Sequence, residues 1–498
     1  MTKDPPCRTR WWSTFGPRPR RMMTSVARAR RQVGLLVLVA LTGCAVNPPV
    51  TPTLDLPSPT SIAPQDVALH TWWTAFDDPV LSRLVDEALA NNLDLGTALA
   101  RIDAARAQVR LAGAPFFPSV NLTAGGGRSR ISEVGSQPLP PGFNPYSNQF
   151  NIGVELAYEL DLWGKYRSGA LAANNELLAS RYARETVRIT IAADVASTYF
   201  RLRAADAQRD VLNETLASRI DSVKLQRDRF EGGLIGELEV RQAEGERLAV
   251  LADIARTQQT IEQLETALAT LTGRSPRAVF VPEVARGTTI DVVTDVPTLP
   301  PGLPSGLLER RPDIQQSEAH LAASELRIIE ARADYFPNVT LTGLFGTESA
   351  ALSNLFSSSA TVWRFGAALL QPIIGIRRID AAVELAAARR SEALVAYQRT
   401  VQTAFREVHD ALSANRAARE VLAAEADRRN QLAQALDIAR LRFDAGRTSF
   451  LEVLDVQRSL LAAETLRITA ARDAKLSIVA FAKALGGGWD PEVFAAAR

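Results

Sequence analysis

The chain has 498 residues, with 57 Lys and Arg against 55 Asp and Glu and a formal net charge of +2. That balance conceals a division: residues 1–43 hold nine Lys/Arg and one Asp, so the remainder is acidic, net about −6, and offers no basic face to nucleic acid. Of the two cysteines, Cys7 lies in the basic leader and only Cys44 follows it, which excludes a disulfide framework and a cysteine metal site.

The leader, 1–43, is basic through Arg31, apolar from Val33 to Leu41, and ends Leu41-Thr42-Gly43-Cys44. A positive stretch, a short apolar stretch and small residues before a cut site form an export signal, too short in its apolar part to span a bilayer. Leu-Thr-Gly-Cys resembles the lipobox of bacterial lipoproteins, which implies cleavage before Cys44 and acylation there. Each buried methylene adds roughly 0.8 kcal/mol, so several acyl chains anchor a protein durably. Ala45 after the Cys favours the outer membrane by the same resemblance; an ordinary signal with a coincidental Cys is the other reading. Residues 44–75, Pro-rich from Asn47 to Pro64, read as a tether from anchor to fold.

A first unit is expected over 76–273. Trp72, Trp73 and Phe76 should dock a helix Pro79–Leu111, with Asp78 as N-cap and Pro79 at the first helical position, a membrane-interface role being the other reading of the Trp pair. Two strands follow, Val120–Gly127 and Asn151–Trp163, joined through a polar loop around Gln137–Asn148. The second alternates Ile152, Val154, Leu156, Tyr158, Leu160 and Leu162 against Asn151, Gly153, Glu155, Ala157, Glu159 and Asp161. Ala170–Glu231 then contains no Gly or Pro, Gly232-Gly233 turns the chain, and Glu237–Thr272 runs back as a second helix. A proline-rich linker, 274–305, leads to a second unit over 306–488, and 489–498 is a short tail. In the second unit the strands are Asn338–Gly346 and Thr361–Leu370. Its helix over Ile376–Ala445 would reach on the order of 100 Å before the turn at Gly446 and the return helix within Arg447–Leu485.

The two units are copies. Arg229-Phe230-Glu231-Gly232-Gly233-Leu234 matches Arg442-Phe443-Asp444-Ala445-Gly446-Arg447, and Pro118-Ser119-Val120-Asn121-Leu122-Thr123 matches Pro337-Asn338-Val339-Thr340-Leu341-Thr342. The fold expected is mainly α with a small transmembrane β part. Strands of about ten residues alternating apolar and polar suit a membrane barrel with a wet interior, although a soluble sandwich gives similar alternation. Four strands cannot close a barrel, and an open edge in lipid leaves backbone groups unpaired, so three chains should share a twelve-stranded barrel continuous with a twelve-helix cylinder. A wall one helix thick meets water on both sides, which accounts for its Ala-rich seams.

Leu307-Leu308-Glu309-Arg310-Arg311-Pro312-Asp313-Ile314 and Ala331-Arg332-Ala333-Asp334-Tyr335-Phe336-Pro337 resemble the outer membrane factor family, the TolC-like channels of tripartite efflux pumps. Tyr158-Glu159-Leu160-Asp161-Leu162-Trp163-Gly164 and the segment from Gly446 to Asp455 carry the same likeness. Ile329, where a Gly is common, and Ile374-Gly375-Ile376-Arg377, in place of a more Gly-rich turn, depart from it. The resemblance implies a homotrimeric conduit that lies in the outer membrane and extends across the periplasm. It also implies a periplasmic adaptor and an inner-membrane pump of the resistance-nodulation-division type as partners.

Glu452 and Asp455 lie three apart on one helical face, and by resemblance that face points into the lumen near the tip. Stacked carboxylate rings there would favour cations and bind divalent ions; an ordinary solvated helix face is the plain alternative. Gly233, Glu239, Gln242, Phe443, Gly446, Arg447 and Thr448 are the expected gate and adaptor-contact residues, the glycines also serving as turn residues. His70, His320 and His409 are dispersed, and no motif gives catalysis, a metal or a cofactor a foothold. A type I polypeptide-secretion duct and a poreless coiled-coil scaffold are the rival functions.

Overall fold

The computed structural model describes residues 69–135, 140, 142–290 and 310–488. The leader, Cys44, the Pro-rich tether, the later part of the linker, Leu307–Glu309 and the tail lie outside the described residues. Helices α1 (Pro79–Asn91) and α2 (Leu93–Gly113) precede strands β1 (Ser119–Arg130) and β2 (Tyr146–Glu159). The long helix α3 (Lys165–Glu231) and its return α4 (Glu237–Leu271) complete the first copy. The second copy repeats the order as α5 (Pro312–Ala333), β3 (Asn338–Ser349), β4 (Thr361–Leu370), α6 (Ile376–Asp444) and α7 (Phe450–Ala484). No described helix is long and apolar enough to cross a membrane.

The expected helix over Pro79–Leu111 is two helices. Asp78 caps the first, its Oδ1 accepting from Val80 N and Leu81 N, but Asn92 adopts an extended conformation and breaks the run. Asn92 Oδ1 accepts from Asp94 N to start α2, while its Nδ2 donates to Leu271 O at the end of α4 (2.8 Å). At the matching place in the second copy, Arg311 Nη1 donates to Ala484 O at the end of α7 (3.0 Å). One side chain per copy thus satisfies a terminal carbonyl that the returning helix cannot. Gly273 and Gly486, just past those helix ends, have φ of +69° and +75°.

The four strands form one antiparallel sheet in chain order, so β1 and β4 are its edges. β1 and β3 run past their expected ends to Arg130 and Ser349, and β2 begins at Tyr146, inside the expected loop. Gly125–Gly127 is therefore mid-strand; a Cβ at Gly125 would stand 2.8 Å from Asn151 Oδ1 and one at Gly126 3.1 Å from the Phe150 ring, so these two glycines make room for cross-strand neighbours. β2 stops at Glu159, before Leu160–Trp163, because Asp161 turns to accept from Tyr166 N and Arg167 N at the start of α3. Cross-strand register sets Leu122, Val154, Phe345 and Trp363 in one row, with Leu156 and Phe365 beside them on the same side. The opposite side carries Asn121, Glu155, Leu344 and Arg364 in one row. Phe345, Trp363 and Phe365 are 62%, 68% and 74% exposed, an apolar face with nothing on it.

Both connections from sheet to long helix pass through left-handed glycines, Gly164 at φ +74° and Gly375 at φ +100°. Near the sheet α3 packs between α2 and α5, and α6 lies beyond α5; farther down α3 packs between α4 and α7, and α6 lies beyond α7. The main core is a belt halfway along α3, where Trp72, Trp73, Phe76, Leu81, Val85, Tyr199, Leu202, Leu268 and Ile290 meet. The paired Trp are buried there, edge to face at 5.8 Å, as expected of residues that dock α1. Twenty-five of the 67 residues of α3 are buried but only eight of the 69 in α6, which marks α3 as interior to the wall and α6 as its flank.

Asp78 also ties this belt together. Its Oδ2 accepts from Tyr199 OH (2.7 Å), Thr288 Oγ1 (2.7 Å) and Thr288 N (3.1 Å). Burial pushes its carboxyl up, yet these bonds and those from Leu81 and Val80 outweigh burial and hold it below the ordinary value. A group lowered in the folded state stabilises above its unfolded value, and that stability is lost as pH falls through the folded value. Thermal stability is therefore expected to drop on acidification below about pH 4, and Asp78→Asn should remove part of that dependence. A Cβ at Gly273 would overlap Asn91 O, whereas one at Gly233 (φ +66°) meets open space. Thermal unfolding should show Gly273→Ala costing well over the roughly 1 kcal/mol expected of Gly233→Ala.

Candidate functional site

The two hairpin turns lie at the end of the long helices away from the sheet, and they share one geometry. Leu234 N donates to Arg229 O and Arg447 N to Arg442 O, both at 2.8 Å, around Gly233 and Gly446 at φ +66° and +69°. These are Schellman-type stops, in which a left-handed residue lets the chain return bonds to the last turn of the helix.

Phe443 joins the hairpins. Arg229 Cζ lies 4.5 Å from its ring centroid, Phe450 packs at 5.8 Å, and Val223, Ala243 and Leu454 complete the cluster. Glu452 occupies the third position of α7, where the helix dipole favours a carboxylate. Its oxygens accept from Arg442 Nη1 (3.0 Å) and from Thr448 Oγ1. Of the two expected ring residues, Glu452 is thus engaged within its own hairpin, and Asp455 stands exposed. Gly233, Gly446 and Arg447 are exposed; Glu239, Gln242 and Thr448 are partly buried. Glu239 folds toward its own N-cap, where a Cβ on Gly236 would stand 3.4 Å from Glu239 Oε2.

Sequence reasoning missed the link above the tip. Arg219 of α3, 2% exposed, donates through Nη1 to Gln457 of α7, and its Nη2 stands 3.6 Å from Glu246 of α4. Arg458 of α7 donates to the same Glu246 carboxylate through Nε (2.9 Å). The Arg458 hydrogen bond, against burial, keeps the Glu246 carboxyl below its ordinary value, and burial lowers the Arg219 guanidinium. Glu246 therefore bridges the two hairpins, in a groove floored by α3 and flanked by α4 and α7. One signal was available: the second copy has Leu432 where the first has Arg219.

A model for the family described as "Outer membrane efflux protein" matches residues 84–274 and 303–487. The chain belongs to that family. Outer membrane protein OprJ of Pseudomonas aeruginosa is 36% identical over 466 residues, covering 92% of this chain and 95% of OprJ. Toluene efflux pump outer membrane protein TtgI of Pseudomonas putida is 34% identical over 425 residues, covering 83% and 86%. The crystal structure of the Campylobacter jejuni CmeC outer membrane channel superposes with a TM-score of 0.84 at 28% identity, covering 91% of this chain and 98% of CmeC. The protein is an efflux channel of the outer membrane that extends into the periplasm, and the secretion-duct and scaffold readings are not favoured.

Removing the Glu246 charge leaves Arg219 buried without a counter-charge. Glu246→Gln is expected to cost about 3 kcal/mol in thermal or denaturant unfolding, whereas Arg219→Leu, the residue type of the second copy, should be close to neutral.

Proposed function

We propose that three copies assemble through the flanks one chain leaves open, β4 and α6 of one copy against β1, α2 and α4 of the next. The observation that carries this is the sheet itself, apolar on one side, polar on the other and unpaired at both edges. Backbone groups at such an edge have no partner in hydrocarbon, and closure by two more copies supplies one. The helical flanks support the same assembly: Leu385, Val395 and Val421 on α6 are half or more exposed, as are Leu93 and Leu111 on α2 and Leu248 on α4.

The trimer would be a passive duct, with a pump in the inner membrane supplying energy and selection. An adaptor would meet the tip, where Leu234, Leu238, Leu441 and Leu451 are exposed beside Gly233, Gly446 and Arg447. Large exposed apolar residues gathered at one end mark a protein contact. Asp455, with Glu452 tethered behind it, would form carboxylate rings at the constriction. Glu239, Gln242, Phe443 and Thr448 would set the hairpin positions, and the Glu246 bridge would hold the closed tip. Acyl chains on Cys44 would anchor each copy to the outer membrane. TtgI is named for toluene, and small organic molecules are the cargo we favour for this chain.

In planar bilayers the purified protein should conduct with cation preference and divalent block. Glu452→Ala/Asp455→Ala should weaken both; unchanged selectivity and block would remove the ring assignment. Glu246→Gln should raise the open fraction, and a conductance indifferent to it would remove the bridge from the gate.

A further inference from the structure

The apolar side of the sheet does not stay apolar to its outer end. Above the row of Ala124, Ile152, Thr347 and Thr361, β4 ends and β3 soon follows, while β1 and β2 continue as a two-stranded ribbon. Arg128 stands opposite Asn148 there, and Arg130 opposite Tyr146. Alternation along the strands puts Arg128, Arg130 and Tyr146 on the same side as Leu122 and Val154. Arg128 lies six residues beyond Leu122. That separation is about 20 Å along the strand and roughly 15 Å in height for a strand tilted at about 40°. The row of Leu122 and Trp363 sits near the middle of the apolar band, so the two arginines reach headgroup level at the end away from the helices.

Their arrangement is specific. One ring gathers both guanidiniums, Arg128 Cζ at 5.1 Å and Arg130 Cζ at 5.8 Å from the Tyr146 centroid. Arg130 pairs with Glu133 (2.9 Å), but among the described residues Arg128 has no carboxylate partner. Two like charges held beside one ring repel, and an anion between them relieves that cost.

We propose that Arg128 and Arg130, positioned by Tyr146, bind the phosphate headgroup of an outer-leaflet lipid whose acyl chains lie along the apolar side below. Continuity with the apolar face selects a lipid over a free phosphate, which would gain nothing from Leu122 or Val154. The inference rests on the outer-membrane placement, with the strand loops outward.

The test uses the full-length protein in detergent, titrated with diphosphoryl lipid A, with the same lipid dephosphorylated, and with inorganic phosphate. Thermal unfolding should shift upward and saturate with the diphosphoryl lipid alone. In R128A/R130A the half-saturating concentration should rise about thirtyfold, and in E133Q, which frees Arg130, it should fall. Should R128A/R130A fail to fold, E133Q and the charge-keeping R128K/R130K carry the comparison, the latter retaining most of the binding. Equal half-saturation in native protein and R128A/R130A, no tightening in E133Q, loss of binding in R128K/R130K, or an equal response to dephosphorylated lipid or inorganic phosphate would overturn the assignment. Bilayer conductance of R128A/R130A should match the native protein, which separates this site from the duct.

Discussion

Everything in this molecule answers to the backbone hydrogen bonds that β1 and β4 cannot make. A four-stranded sheet with one bare apolar face is suited to lipid on that face, yet its two edges are intolerable there. The helical layer repeats the problem in water, because the flank that bears β4 continues into α6 and the flank that bears β1 arises from α2. Both layers are open along the same two sides. A single closing operation therefore serves sheet and helices together, and the duplication lets four strands and a wall of helices come from one short plan written twice.

The length of the helices creates a second demand. A helix of about 100 Å in a wall one helix thick has little core of its own, so stability is concentrated where several segments converge. Here that place is the belt around Trp72, Tyr199 and Ile290, strapped by Asp78, Thr288 and the Arg203–Asp206–Arg286–Glu265 ion pairs. Asn92 and Arg311 lock the ends of the returning helices to it. Beyond the belt the hairpins touch through fewer groups, chiefly Phe443 and the Glu246 bridge. A structure firm in the middle and lightly tied at its end is one whose end can move.

Much of this was legible in residue order. Stretches free of Gly and Pro gave α6 and α7 to within a few residues, because helix propensity and the breakers Gly232, Gly233 and Gly446 act locally. The helix α3 starts five residues before its expected stretch, at Lys165, with Gly169 inside it, and α4 carries Gly245 within the helix. The apolar–polar alternation of β2 likewise foretold the two-faced sheet. What escaped notice was whatever depends on a partner distant in sequence. Asn92 looks like an ordinary helical residue until Leu271 O is beside it, and Asp161 fits the strand pattern until the start of α3 claims it. Gly125 and Gly126 read as the approach to a strand end until Asn151 and Phe150 occupy the space beside them. At the tip, spacing put Glu452 and Asp455 on one face, but only the fold shows that Arg442 and Thr448 already hold Glu452.

One chain cannot seal its own sheet. Native mass spectrometry of the protein extracted from outer membranes addresses it directly. A particle of three mature chains that loses its β-structure when dissociated is expected. A lone chain that keeps its strands in detergent, with both edges still free, would contradict it.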